Sequence, residues 1–161
     1  MLIYLLRHGD AVQDSSLHDS ERPLTDLGQQ QAEIVARFFQ RSRVSLNMVV
    51  SSPLRRAQEM ALPTVRTLNV SRFSSSEFLV PGSNPQQLVQ EINNSDLEST
   101  LLVGHEPFLG EFLSYLVTGT TGFKVEFKKS TLALVETPLP VQKGRGQLKW
   151  IVTFEHMEMI T

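Results

Sequence analysis

Leu2-Ile3-Tyr4-Leu5-Leu6-Arg7-His8-Gly9-Asp10 begins as an apolar run rich in strand formers and stops abruptly at Arg-His-Gly. A continuous apolar run of this length suits a strand covered on both faces, as in a parallel sheet. Gly9 has no Cβ, which lets the backbone turn and approach a ligand closely. Open α/β sheets bind ligands beyond the carboxyl ends of their strands, where Arg7 and His8 would stand. Alone, an Arg-His pair at a strand end is more often structural than catalytic, so the later segments decide its meaning.

Thr100-Leu101-Leu102-Val103-Gly104-His105 repeats the pattern of buried strand, glycine and histidine. Between the two, Asn47-Met48-Val49-Val50-Ser51 reads as a strand that ends in the polar turn Ser51-Ser52-Pro53. A helix follows it, carrying Leu54-Arg55-Arg56-Ala57-Gln58-Glu59 in its first turns. Pro63 should kink or shorten that helix, because proline removes an intrahelical hydrogen bond.

The remaining segments fill in the frame. Gln13 to Arg22 is a long polar loop whose lone histidine, His18, has either a ligand-contacting or a solvated role. Thr25 is a natural N-cap for a helix with Asp26 at its positive end and Ala32, Val35, Phe38 and Phe39 on its apolar face. Phe78 to Gly82 reads as a short strand and turn. Asn84-Pro85 opens a helix with a cap and a proline at its first position, and Leu88, Val89 and Ile92 form its buried face. Glu106-Pro107 starts another helix with a wide apolar stripe. Thr131 to Glu136 and Gln147 to Phe154 read as an antiparallel hairpin, and His156 lies in a solvated tail. The order β-α-β-α-(β)-α-β-α-β-β predicts one α/β domain over residues 1–161. It would be a three-layer α/β/α arrangement with a mostly parallel sheet and an antiparallel edge.

Composition excludes several functions. Lys plus Arg is 15 against 17 for Asp plus Glu, with none of the basic excess of a nucleic-acid binder. There is no cysteine, which removes disulfides, thiolate nucleophiles and thiolate metal ligands. The apolar opening is too short for a signal-peptide core and no later run approaches membrane-spanning length, so the cytoplasm is the expected compartment and no membrane partner is expected.

Arg7 and His8 end the first strand, Arg56 follows the second, and His105 follows a later one. In a parallel sheet these ends share a rim, so the four side chains can converge. Two guanidiniums and two imidazoles make an anion pocket, since arginine matches phosphate geometry and stays charged when desolvated. Nearby positive charge should push the His8 pKa below its ordinary ~6.5 and leave a free nitrogen lone pair. A neutral imidazole aimed at a bound phosphate is a nucleophile. The rival is a metal held by His8, His105 and a carboxylate such as Asp10 or Glu106, an arrangement that two adjacent arginines would oppose.

Leu5 to Ala11 (Leu-Leu-Arg-His-Gly-Asp-Ala), Arg22 to Ala32 (Arg-Pro-Leu-Thr-Asp-Leu-Gly-Gln-Gln-Gln-Ala), Ser51 to Ala57 (Ser-Ser-Pro-Leu-Arg-Arg-Ala) and Val103 to Pro107 (Val-Gly-His-Glu-Pro) together resemble the histidine phosphatase superfamily. In order and spacing they are most similar to its small members, the SixA-type phosphohistidine phosphatases. The resemblance implies a phosphoglycerate-mutase-like fold and catalysis through a phosphorylated histidine, with no metal or other cofactor. It makes His8 the nucleophile and assigns phosphate binding to Arg7, Arg56 and His105, with Gly9 beside the substrate. Arg56 rather than Arg55 is implied because it directly precedes Ala57.

Two departures refine the expectation. Glu59-Met60 stands where the family commonly carries Gln-Thr. The glutamate motif that supplies the proton donor in the larger branches is missing: Ser74 to Pro81 offers only Glu77, which leaves Asp10, Glu77 and Glu106 as weak candidates for an acid. The chain is also too short for the helical insertion that covers the pocket in those branches. A phosphorylated imidazole leaves with less acid help than an alkoxide, and an uncovered pocket admits a protein surface. The expected substrate is therefore a protein phosphohistidine, for instance on a histidine-phosphotransfer domain, with inorganic phosphate as product. The alternatives are a small-molecule phosphomonoesterase and a non-catalytic phosphate-binding module.

Overall fold

The computed structural model describes residues 1–123 and 125–161. Six strands form one sheet in the order β3-β2-β4-β1-β5-β6. They are β1 (Leu2–Arg7), β2 (Met48–Ser51), β3 (Phe73–Ser75), β4 (Ser99–Gly104), β5 (Leu132–Glu136) and β6 (Gln147–Val152). The strands β3, β2, β4 and β1 run parallel, while β5 is antiparallel to β1 and β6 antiparallel to β5. The expected parallel sheet with an antiparallel edge is therefore present.

Alternation along β1 divides the core. Tyr4 and Leu6 face a layer formed by α1 (Asp26–Arg41), α2 (Arg55–Thr67) and the C-terminal α5 (Phe154–Ile160), where Val35, Phe39, Met60 and Met157 are fully buried. Ile3 and Leu5 face the opposite layer, α3 (Pro85–Asn93) and α4 (Phe108–Thr118), against Leu88, Phe108 and Phe112. With both faces covered, the strand has no solvated side, which is why it reads as a continuous apolar run. Among the described residues no helix is long and apolar enough to cross a membrane.

The predicted caps form. Thr25 Oγ1 accepts from the Gly28 N–H at 3.1 Å, and Asn84 Oδ1 accepts from the Gln86 N–H at 2.9 Å. One local expectation is overturned and two are refined. The short strand is Phe73–Ser75 and not Phe78 to Gly82, since residues 77–79 form a 3-10 turn capped by Ser76, whose hydroxyl accepts from the Phe78 N–H. The α2 helix runs through Pro63 to Thr67 without being shortened. Pro63 is buried there, and packing of α2 against α1 and the sheet outweighs the lost backbone bond. The last strand ends at Val152, and His156, exposed as expected, sits on the short helix α5. Met157 buries the inner face of that short helix.

Candidate active site

Strand register brings the site together. Arg7 pairs with Gly104, so His8 and His105, one residue further along adjacent parallel strands, stand side by side. Their ring centroids are 4.9 Å apart with planes tilted by 55°. Ser51 pairs with Val103, which brings Ser52 to the same rim from the other side of β4. The His8 N–H donates to Gly104 O at 3.2 Å and the Ser52 N–H to Val103 O at 2.8 Å, extending the ladders past the strand ends. Arg56 reaches the cluster from the first turn of α2, close to the end of β2.

Both histidines are buried and neutral. His8 Nδ1 lies 2.7 Å from the carbonyl of Gly9. A carbonyl only accepts, so Nδ1 carries the proton and Nε2 keeps its lone pair. Burial lowers the His8 pKa to about 4, with the charges of Arg56, Arg7 and Lys129 adding to the effect and the Gly9 hydrogen bond opposing it. The direction is the one expected from the sequence, but the largest cause is loss of water and not the arginines. His105 falls to about 3, first through burial and then through His8 and Arg56. Its Nε2 lies 2.9 Å from Ser52 Oγ, and its buried Nδ1 has no hydrogen-bond partner among the described residues.

Each arginine is held by one end of its guanidinium. Arg7 Nη1 donates to Phe127 O at 2.6 Å. Arg56, almost fully buried, donates from Nη1 to Asp19 O at 2.7 Å and from Nη2 to Asp19 Oδ2 at 3.0 Å. Asp19 also pairs with Arg22 at 3.0 Å. Burial alone would raise the Asp19 pKa, but Arg56 and Arg22 hold it below the usual carboxylate value. The Nε atoms of Arg7 and Arg56 are buried without a partner among the described residues. Arg55 faces away from this cluster and pairs with Glu59 at 2.7 Å. Glu59 in turn accepts from the Leu24 N–H at 2.7 Å and from Gln29 at 3.2 Å, tying α2 to the start of α1. That contact gives the unexpected glutamate a structural role.

The three acid candidates separate. Asp10 bonds Lys129 at 2.6 Å and Thr25 at 2.8 Å, which keep its pKa low. Glu77 lies in the 3-10 turn before Leu79, exposed. Glu106 is raised by burial, although the Phe127 and Gly110 N–H groups that it accepts, at 2.6 and 3.3 Å, oppose the shift. Glu106 thereby clamps the residue whose carbonyl holds Arg7. What lies against the Gly9 Cα is the chain itself: an added Cβ would come within 2.7 Å of Gln31 Oε1 and 3.2 Å of Ser130 Oγ. His18 is exposed, and its ring bonds Ser20. Ser52 and Asp19 are contributors that sequence reasoning missed: one looked like a turn residue, the other like loop polarity. Among the described residues no group of three or more His, Asp or Glu is arranged to hold a metal ion.

A six-stranded sheet with this order, carrying two arginines and two neutral histidines on its carboxyl rim, defines a class. The sequence pattern of the histidine phosphatase superfamily (branch 1) matches residues 3–77, and the chain is similar to members of that superfamily. Among the proteins it resembles are SixA phosphatases. It is 29% identical over 157 residues to the phosphohistidine phosphatase SixA of Escherichia coli K12, covering 93% of this chain and 92% of that protein. A solved structure of the protein histidine phosphatase SixA complexed with tungstate superposes with a TM-score of 0.87 at 25% identity, covering 98% of this chain and 99% of that one. An uncharacterised protein of Picosynechococcus sp. is 27% identical over 138 residues, 81% of each chain.

Proposed function

We propose that the chain is a phosphohistidine phosphatase that removes the phosphoryl group from a histidine on a protein, such as a histidine-phosphotransfer domain. In this reading the whole of 1–161 is one catalytic domain with no lid insertion. The observation that carries it is the state of His8: a neutral ring whose proton is committed to the Gly9 carbonyl, leaving Nε2 as the nucleophilic atom.

In the first step Nε2 forms a bond to phosphorus and the bond to the substrate imidazole nitrogen breaks, with that nitrogen leaving as it takes up a proton from solvent water. In the second step water attacks the phosphorylated His8, releasing inorganic phosphate and returning the ring to its neutral state. Arg7 and Arg56 stabilise charge on the transferring oxygens, each through the guanidinium N–H groups not engaged by Phe127 O or Asp19. His105 Nδ1 donates to the same oxygens, its proton held there by the Ser52 hydroxyl at Nε2. All the positive charge in this scheme comes from side chains, so chelators should leave turnover unchanged. The tungstate held by the related SixA is a tetrahedral oxyanion, which supports an oxyanion role for the rim.

Rapid quenching with labelled substrate tests the covalent step. Wild-type enzyme should trap label that is lost in acid and survives alkali, the behaviour of a phosphoramidate, and His8→Ala should trap none. Label that persists in His8→Ala, or that resists acid, would show that the chemistry runs elsewhere.

A further inference from the structure

A groove of about 500 Å³ opens beside Arg7, between the start of α4 on one side and Thr121, Gly122, Phe123, Val125 and Glu126 on the other. Its volume is in the range of a ligand pocket and exceeds what a phosphoryl group alone requires. Pro107, Phe123 and Val125 give it apolar walls, and Glu111 and Glu126 are among its lining residues. Phe123 is 61% exposed, so its ring is open to a partner. Among the described residues Arg7 is the cation of that lining, while nearby Lys129 pairs with Asp10.

Charge and surface together select an occupant. A small phosphate ester with a second anionic group would meet glutamates as soon as its phosphoryl group reached Arg7. Sugar hydroxyls would meet mostly apolar walls. A polypeptide satisfies both parts of the groove, because it can present an apolar side chain and a cation from neighbouring residues. We propose that the groove receives the segment flanking the phosphorylated histidine, with an apolar side chain against Phe123 and Val125 and a lysine or arginine between Glu111 and Glu126. This rests on the phosphohistidine reading of His8 and adds to it a preference for basic, apolar surroundings of the target.

The test uses three substrates: two short phosphohistidine peptides that differ only in a flanking Lys or Glu, and phosphoimidazole. Wild-type enzyme should hydrolyse the Lys peptide with a kcat/KM about fivefold or more above the Glu peptide, the size of a partly exposed charge pair. The ratio should shrink as salt is raised. In the isosteric pair Glu111→Gln/Glu126→Gln it should fall to about one. Equal rates in the wild type, or a ratio unchanged in the Gln pair, would overturn the groove assignment while phosphoimidazole turnover leaves the phosphohistidine reading standing. No turnover of any of the three would overturn both.

Discussion

The Ser52 hydroxyl lies 2.9 Å from Nε2 of His105, and neither side chain is open to water. The Leu54 N–H donates to the same hydroxyl oxygen at 3.3 Å, and in the proposed scheme the hydroxyl gives its own proton to the imidazole. The His105 proton then belongs on Nδ1, the ring nitrogen without a partner among the described residues. Ser52→Ala should release this tautomer, with ¹⁵N shifts of His105 moving from one form to a mixture. Turnover should fall by roughly tenfold or more, as for weakening one preorganised donor. Unchanged shifts would remove Ser52 from the site's proton arrangement.

The two histidines make folding stability fall in acid. Each has a folded pKa below the ordinary 6.5, about 4 for His8 and about 3 for His105. Between those values and 6.5 the unfolded chain binds protons that the folded chain does not, so stability rises with pH there. Their contribution is fully present above 6.5 and declines as pH drops through the window, by up to about 1.4 kcal/mol per pH unit for each group. Urea unfolding from pH 7 to 4 checks this, and substituting His8 with Gln should flatten the slope. NMR titration should find His8 still neutral at pH 5.5.

Arg56 and Asp19 should behave as one unit. Arg56→Ala is expected to lower turnover about 10²–10³-fold, since it removes a charge-stabilising donor. Asp19→Ala removes the carboxylate that aims the guanidinium but not the Asp19 carbonyl that also holds it, so a loss near tenfold is expected. The double variant should be no slower than Arg56→Ala alone, because coupled residues are not additive. Additive losses in steady-state kinetics would mean that Asp19 acts independently of Arg56.

Gly28 seats α1 against the loop that follows His8. A Cβ there would run into the backbone carbonyl of Asp10, which cannot swing aside as a side chain could. Gly28→Ala should therefore destabilise the fold by about 3 kcal/mol or more, despite the better helix propensity of alanine. Thermal unfolding measures it directly, and a variant as stable as the wild type would contradict the close approach.

Much of this was legible because strand ends announce themselves in sequence. Arg7, His8 and His105 each follow an apolar run that can only be a covered strand, and Arg56 follows one at the distance of a helix start. Ser52 was not legible, because its partner is set by the register Ser51 to Val103, a pairing between segments some fifty residues apart. Asp19 was hidden in a polar loop where neighbouring acids and His18 look equivalent. The third strand was misplaced because Phe78 and Leu79 are more apolar than Phe73-Ser74-Ser75, yet a sheet edge needs little apolar character. The last helix escaped notice because seven residues with one buried methionine leave almost no periodic signal.

The position of β1 has a consequence for how the chain is made. It is the first of the sheet's six strands in chain order, yet it is bounded on one side by β4 at residues 99–104 and on the other by β5 at 132–136. During translation the apolar stretch Leu2–Leu6 must wait, unpaired, until most of the polypeptide has emerged. Such distant pairings slow folding and leave sticky surface exposed in the interim. A nascent chain released early would display His8 and Arg7 on a strand with nothing beside it, and would be handed to chaperones or proteases before it met any phosphate.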